Sequence, residues 1–484
     1  MVTHSENQSN DAPYDIAIVG GTVMLPEGPF PRTLGIRDGL IGAIESGPIA
    51  ARKTLDATGR LVLPGGIDSH CHMDQQPWEG RTTADDFRSG TLSALCGGNT
   101  SVIPFAMQMR GQSLRSVVAD YHARASAKAH IDYGFHLVVG DPTPTVLTEE
   151  LPELIEQGCT SIKIFLTYEG LKLDDYEVLN VLELARREGI LVMVHAENDA
   201  CVRWLTDRLL QRQKTALRYH GVARSEIGER EAASRAISFS ELIETPILIA
   251  HVSSAAVVEE IRRARAQGLP IYAETCPQYL FLSAEDIDTP DLSGAKCVCT
   301  PPPRDRANQP AMWRGVLDGT LGIFSSDHSP WNYRDKIAEG PNTPFTRVPN
   351  GIPGIETRLP LLFSAMQVDK RITLKQFVDI TTTAPAKLYG LYPRKGVIAV
   401  GSDADLAIWD TERAVTIRNE MLHHAVDYTP YEGTQVRGWP VITLSRGEVV
   451  YADGVVTSIA GRGRFLPCAR PFSPNLEPPS VLAR

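Results

Sequence analysis

The sequence of 484 residues lacks several features that would mark particular classes of protein. None of its eight cysteines forms a CxxC pair, and scattered single cysteines are typical of free thiols in a reducing compartment. No apolar run reaches the roughly 18 residues that a membrane helix needs. The first residues show neither the basic nor the apolar part of a signal peptide. We therefore expect a cytoplasmic protein that has no membrane partner.

An excess of positive charge and a dinucleotide-binding motif are also absent. The formal net charge is −10, which argues against a protein that binds nucleic acid by neutralising its phosphates. No GxGxxG motif opens a predicted helix, and this disfavours an open doubly wound sheet. Hydrophobic residues make up 43% of the chain, which is enough for a substantial core.

Short apolar runs recur through the middle of the chain, and each is followed by a stretch typical of a helix. The runs are residues 60–72, 99–107, 132–141, 160–168, 190–198, 246–254, 270–282 and 320–330. Amphipathic stretches between them, such as residues 147–158, 176–189 and 255–268, end in glycine, a common helix stop. Eight strands that alternate with helices predict an α/β fold, a distorted (β/α)8 TIM barrel.

Both flanks of the predicted barrel consist of short alternating runs and glycine turns, which are typical of β-hairpins. We predict that residues 14–60 and 395–460 form one small β-sandwich domain, built from both termini around a barrel domain of residues 61–394. Residues 1–13 are expected to be loose or disordered. The tail of residues 461–484 is rich in proline and cannot form regular helix or sheet, so it is either loose or lies against another surface.

Polar side chains gather at the ends of the predicted strands, where TIM barrels hold their active sites. They are His70, His72, Lys163, His195, His251 and Asp327, with His328 directly after. The i, i+2 spacing puts His70 and His72 on one face of a strand, while Cys71 faces the other way. A single buried histidine is usually a packing residue, but ligand-type side chains from five strands at one rim indicate a metal centre.

Lys163 lies within the apolar run SIKIFL, so its side chain points either outward among the helices or into the barrel mouth. Burial favours the neutral amine, because the ammonium form would lose its hydration. A neutral amine can combine with carbon dioxide to form a carbamate, an oxygen anion that is able to bridge two metals. Four imidazoles, a carbamate and Asp327 would suit two Zn²⁺-like ions with open positions.

Several segments together resemble the cyclic amidohydrolases, in the hydantoinase and dihydropyrimidinase branch of the amidohydrolase superfamily. They are GGIDSHCHMD, SIKIFLTYEG, VHAEN, AHVSS, ETCPQYL, FSSDHSPWN, PNGIPGIETRLPLL and GSDADLAIWD. The resemblance extends over residues 14–460, and its most specific parts are ETCPQYL and the PNGxPGxETR pattern. It implies a distorted TIM barrel with a β-sandwich made from both termini.

The resemblance also implies a centre of two zinc ions, with Mn²⁺ or Co²⁺ as alternatives. His70 and His72 match the ligands on the first strand. Lys163 matches a carboxylated lysine that bridges the two metals. His195 and His251 match the ligands of the second ion.

Four further positions match the family residues that act on substrate. Asp327 matches an aspartate that binds the first metal and shuttles a proton, and Tyr168 a tyrosine that hydrogen-bonds the substrate carbonyl and the developing oxyanion. Thr300, where relatives usually have serine, and Asn350 match substrate-anchoring positions that mostly use backbone groups. The implied reaction is attack by a metal-bridging hydroxide, with Asp327 passing the proton to the leaving ring nitrogen.

The implied substrate is a small cyclic amide or imide, namely a hydantoin or dihydropyrimidine that opens to an N-carbamoyl amino acid. Allantoin and cyclic imides stay open as alternatives, and a non-enzymatic dihydropyrimidinase-related scaffold is a remote one. The loop of residues 72–87 departs from the usual family pattern, and in the family layout Gln76 and Trp78 would line the site mouth. Phe165 is predicted as another pocket wall. Relatives of this type imply a homotetramer.

Overall fold

The computed structural model describes Ser5–Glu6, residues 13–75 and residues 80–483, and its centre is a barrel of parallel strands. The barrel strands of this described part are Gly66–Cys71, Asn99–Met107, Asp132–Tyr133 continued by His136–Val138, Ser161–Phe165, Leu191–His195, Ile247–Ile249, Ile271–Thr275 and Ile323–Phe324. The ends of the first and last strands meet, because the Asp327 N–H donates to the His70 carbonyl at 2.9 Å and the His72 N–H to the His328 carbonyl at 2.7 Å. The predicted TIM barrel is confirmed.

Helices follow the barrel strands. The α-helices are Phe87–Cys96, Leu114–Lys128, Leu151–Glu156, Asp175–Glu188, Asp199–Gln211, Tyr219–Ala223, Glu226–Ile243, Ala255–Ala266, Pro277–Phe281, Ala284–Ile287, Gln309–Leu317, Tyr333–Lys336, Arg358–Gln367, Leu374–Val378 and Ala384–Leu388. In Asp175–Glu188, Asp174 and Glu177 form a capping box at the start, and Gly189 ends the helix with a φ of 67°. None of the described helices is both long and apolar enough to cross a bilayer.

Short turns of other helix types extend or join these elements. The π-helical turns are Val146–Glu150 and Asp379–Thr383, and the 3₁₀ turns are Leu292–Cys297, Arg306–Asn308, Gly340–Asn342, Phe345–Arg347, Asn419–Met421 and Ser480–Ala483. The predicted helix at residues 147–158 therefore begins with a π turn and continues as an α-helix.

The apolar run at residues 60–72 contains two strands rather than the single strand expected. Leu61–Pro64 pairs with Thr22–Leu25 and Leu406–Thr416 in a flanking sheet, whereas Gly66–Cys71 enters the barrel. Gly65 joins them, and a Cβ at this position would lie 2.3 Å from the Thr100 side chain. Only glycine fits such a close approach, so the run changes sheet at this point.

Two flanking sheets are built from both ends of the chain and pack against each other. The first contains Ser5–Glu6, Ala51–Asp56, Tyr14–Val19, Thr33–Arg37 and Leu40–Glu45, and the second contains Val455–Val456, Glu448–Ala452, Gln435–Ser445, Leu406–Thr416, Leu61–Pro64, Thr22–Leu25 and Gly28–Pro31. Leu34 and Leu55 of the first sheet share one buried cluster with Ile408 and Ile442 of the second. The predicted β-sandwich from both termini is thus confirmed, while the boundaries at residues 60 and 395 stay a prediction.

Alternate residues of the barrel strands divide between an inner and an outer apolar core. Phe105, Val138 and Met193 belong to the inner cluster, inside the barrel. Lys163 pairs in register with Val138 on one side and with Met193 on the other. Residues in register on neighbouring strands share a face, so the Lys163 side chain points into the barrel.

The proline-rich tail lies against the barrel, which is the second of the two arrangements expected for it. The Leu466 N–H donates to the Tyr133 carbonyl at 2.7 Å, and the Cys468 N–H donates to the Gly158 carbonyl at 3.0 Å. Leu466 and Cys468 also join the inner apolar cluster. The tail therefore covers the end of the barrel that is opposite to the rim with the polar side chains.

Candidate active site

The carboxyl ends of the barrel strands bring the predicted ligand-type side chains to one cavity of about 340 Å³. Its lining includes His70, His72, Lys163, His195, His251 and Asp327. His70 and Lys163 lie within strands and His195 ends one, while the other three follow strand ends by one to three residues. All are buried except His72, which is half-buried.

Three of these side chains form one tight group at the first and last strands. The Oδ1 atom of Asp327 lies 3.2 Å from Nε2 of His70 and 3.4 Å from Nε2 of His72. Burial alone would raise the pKa of the Asp327 carboxyl, but the two imidazoles outweigh it and leave that pKa well below its ordinary value. One ligand atom from each residue lies within 4.8 Å of the others, a spacing that suits a shared divalent cation.

Two further histidines face this group across the cavity. The ring centroids of His195 and His251 lie 4.5 Å apart, and those of His251 and His70 lie 5.3 Å apart. The Nε2 atom of His195 contacts Glu197 Oε2 at 2.7 Å, so a ligand role would fall to the other ring nitrogen, Nδ1. The two imidazoles are therefore placed to serve a second ion beside the first.

Lys163 lies between the two histidine groups and has an orphaned amine. Its Nζ atom is buried and has no hydrogen-bond partner among the described residues, and it lies 5.3 Å from the centroid of the Phe105 ring. Burial lowers the pKa of Lys163 to about 8, although Glu274 and Asp327 act in the opposite direction. An unpartnered amine among imidazoles and a carboxylate fits a bridging carbamate, and the whole donor set fits two divalent ions.

One side chain that supports these residues, Glu274, was not predicted by the sequence analysis. Glu274, on the strand Ile271–Thr275, contacts Nδ1 of His70. Such carboxylates fix the tautomer and orientation of a ligating histidine. The sequence feature that could have identified Glu274 is an acidic residue inside an apolar strand. Its partner could not be identified in this way, because His70 lies 204 residues away in sequence.

His328 and Cys71 point away from the cavity. The Nε2 atom of His328 lies 3.1 Å from Oδ2 of Asp85, and its Nδ1 accepts the Gly354 N–H at 3.1 Å, so both ring nitrogens are engaged. Cys71 is fully buried in the outer apolar core. Both therefore support the rim and do not line the cavity.

Tyr168, Thr300 and Asn350 meet on one wall of the cavity. The Tyr168 hydroxyl contacts Thr300 Oγ1, and Asn350 Nδ2 lies 3.5 Å from the same hydroxyl. Phe165 lines the cavity beside them, stacked on the His195 ring with centroids 5.3 Å apart. The predicted substrate-facing residues are thus brought together in front of the histidines.

The loop that follows the first barrel strand is described only in part. Gln76 and Trp78 lie outside the described residues, so their predicted place at the cavity mouth stays a prediction. Gln75 is described, and its Nε2 atom lies 2.7 Å from Nδ1 of His72. This side chain therefore supports the second histidine of the HxH motif.

The backbone is strained at three positions of the site. Tyr168, His251 and Asp327 have φ values of 78°, 36° and 49°. Residues other than glycine rarely adopt positive φ, and such outliers cluster at functional sites, where the surrounding structure fixes them. The coincidence of strain and ligand-type chemistry at one rim indicates an active site.

Comparisons with known proteins show the family to which this chain belongs. Residues 61–450 match the model of the amidohydrolase family. A D-hydantoinase of Rhizobium radiobacter is 41% identical over 93% of this chain and 98% of its own length. A solved dihydropyrimidinase from Brevibacillus agri is 41% identical with a TM-score of 0.91, over 94% of this chain and 99% of its own. An L-hydantoinase from Arthrobacter aurescens has a TM-score of 0.86 at 26% identity, over 93% of this chain and 99% of its own. The chain therefore belongs to the amidohydrolase family and, within it, to the cyclic amidohydrolases of the hydantoinase and dihydropyrimidinase branch.

Proposed function

We propose that this enzyme opens the ring of hydantoins or dihydropyrimidines by hydrolysis and releases N-carbamoyl amino acids. The main support is one cavity in which metal-ligand side chains face Tyr168, Thr300 and Asn350. Relatives named for hydantoins and dihydropyrimidines, which align over nearly the whole chain, support the substrate class.

We infer that two divalent ions, of zinc in the first instance, bind at the rim. The side chains that would hold them are His70, His72, Lys163, His195, His251 and Asp327. Lys163 would bridge the ions as a carbamate, with Mn²⁺ and Co²⁺ as alternative metals. Bound there, the ions would acidify water and polarise a carbonyl oxygen at neutral pH.

Asp327 is the proton carrier in this proposal. Its low pKa leaves the carboxylate ionised, so it can accept a proton from the attacking water as the new C–O bond forms. It then donates that proton to the ring nitrogen as the C–N bond breaks. The net change is the addition of one water molecule to one cyclic amide.

The cavity wall that faces the histidines would hold the substrate ring and stabilise the charge that develops on it. The Tyr168 hydroxyl would donate to the carbonyl oxygen, and this bond strengthens as negative charge grows in the transition state. Backbone groups at Thr300 and Asn350 would read the N–H and C=O edge of the ring. Phe165 would pack on the ring as an apolar wall.

A panel of ring substrates tests the proposal on the zinc-loaded protein. We expect turnover of hydantoin and 5,6-dihydrouracil to exceed that of allantoin, succinimide and glutarimide. Preferential turnover of allantoin or of an imide would replace the proposed substrate by one of the two alternatives. A metal-loaded protein that opens none of the five rings would contradict the enzymatic proposal. Light scattering on the same sample tests the expected homotetramer.

A further inference from the structure

Arg224 lies on the cavity wall and has no part in the proposed reaction. It follows the helix Tyr219–Ala223, lines the cavity and is only 8% exposed. Its guanidinium carbon lies 5.0 Å from the centroid of the Tyr168 ring. A guanidinium within ~6 Å of an aromatic face is attracted to the ring electrons. Arg224 therefore contacts the side chain that the proposed reaction assigns to the substrate carbonyl.

The guanidinium of Arg224 is itself held in place. Its Nη1 donates to Oε2 of Glu197 at 2.7 Å, inside the protein. The Arg224 N–H donates to the His220 carbonyl at 3.0 Å, and its own carbonyl accepts from Arg304. Arg304 in turn pairs with the buried Glu229 at 2.8 Å. Hydrogen bonds thus hold both the backbone and the guanidinium of Arg224.

Tyr168 is a residue that needs such support. Its φ of 78° is a conformation that costs a non-glycine residue about 1–3 kcal/mol, and it persists only where neighbours impose it. The ring lies 5.4 Å from the His195 ring and 6.0 Å from the Phe165 ring, centroid to centroid. The guanidinium of Arg224 adds a charged contact to the face of the ring. The hydroxyl at the end of the ring contacts Thr300 and lies near Asn350.

We propose that Arg224 is a positioning residue for Tyr168, whose phenol it holds so that the hydroxyl meets the substrate carbonyl. The proposal rests on the proposed function, because the role of Tyr168 comes from there. Arginine suits the task, since its guanidinium is planar, stays charged and can stack on a ring while pairing with a carboxylate. Lysine would supply the charge without the planar contact.

A second route could connect Arg224 to the reaction, and it predicts a different result. Glu197 also contacts Nε2 of His195, a residue that we infer to hold a metal ion. Loss of Arg224 could then act through Glu197 on metal binding rather than through Tyr168. Metal content distinguishes the two routes, because loss of Arg224 lowers the metal content only if it acts through Glu197.

A double-mutant cycle with hydantoin as substrate tests the proposal. The proteins are wild type, Arg224→Met, Tyr168→Phe and the double variant, each loaded with zinc and measured for kcat, KM, metal content and Tm. We expect Tyr168→Phe to lower kcat by ~10²–10³, as loss of one oxyanion donor does. We expect Arg224→Met to lower kcat ~10-fold with little change in KM. In the double variant kcat should stay within about threefold of that of Tyr168→Phe, because without the hydroxyl its position no longer matters.

Two further variants keep the result interpretable. Arg186→Met also removes a buried arginine, which pairs with Glu244 far from the cavity, and it should leave kcat unchanged in either background. Arg224→Lys keeps a cation beside Glu197, so it serves for the same cycle if Arg224→Met does not fold. The proposal is overturned if the two effects on kcat multiply, or if the Arg224 variants lose metal. Failure of the proposed function would show earlier, as a wild type that opens neither hydantoin nor dihydrouracil.

Discussion

The buried amine of Lys163 is predicted to react with carbon dioxide and form a carbamate. Burial lowers the pKa of Lys163 from 10.5 to about 8. This difference corresponds to about 3 kcal/mol between the two protonation states. At pH 8 about half of the amine is neutral, compared with ~0.3% for a lysine of ordinary pKa. Since the neutral amine is the form that reacts with carbon dioxide, we expect a carbamate to form more readily on Lys163 than on surface lysines.

The same pKa has a consequence for stability in protein that is free of metal and of carbon dioxide. A lysine whose pKa is lower in the folded chain than in the unfolded chain destabilises the fold. This penalty is largest at pH values below the pKa of the folded state. Between pH 8 and pH 10.5 the unfolded chain binds the extra proton, so the penalty fades as the pH rises. The difference in unfolding free energy between Lys163→Met and wild type should thus fall by about 3 kcal/mol from pH 7 to pH 10.5.

Carbamate formation is measured directly by ¹³C NMR after incubation with ¹³C-bicarbonate and zinc. Wild type should give one carbamate signal and bind two ions per chain, and Lys163→Met should give neither. Lys336→Met is the matched control, since Lys336 is also buried with a pKa lowered to about 7 by burial, but its amine donates to the carbonyls of Val298 and Pro349. That variant should keep the signal. Normal metal content and turnover in Lys163→Met would refute the carbamate bridge.

Three other substitutions test separate parts of the structure. Asp327→Ala should retain substrate binding far better than turnover, and equal losses in Kd and kcat would argue against its role as proton carrier. Glu274→Gln should weaken zinc affinity ~10–100-fold, because Glu274 orients His70, and an unchanged zinc titration would remove that role. Lys395→Met should lower the unfolding free energy by about 3–5 kcal/mol, since it leaves Asp132 and two other carboxylates buried without their ammonium, and unfolding in urea measures this.

The barrel and the polar rim could be predicted because both depend on local sequence. Each strand is a short apolar run, and each polar side chain lies inside that run or just after its end. The spacing of His70 and His72 sets their common face within three residues. The direction of Lys163 could not be obtained in this way, because it depends on register with Val138 and Met193 on the neighbouring strands.

Contacts over long sequence distances account for what the sequence analysis missed. Glu274 and His70 come from different strands, and Arg224 reaches Tyr168 only because the chain returns to the cavity after a helix. The change of sheet at Gly65 depends on how closely Thr100 approaches, which no local pattern records. Such features arise from packing between elements rather than from the composition of any one element.

We infer that this enzyme adds water to a cyclic amide with the help of two metal ions. A zinc titration of chelator-treated protein tests it most directly, with hydantoin as substrate and N-carbamoylglycine measured as product. Turnover should be absent without zinc, rise with added zinc and level off at two ions per chain. Full turnover in the chelated protein, or no product from hydantoin or dihydrouracil at two ions per chain, would contradict the claim.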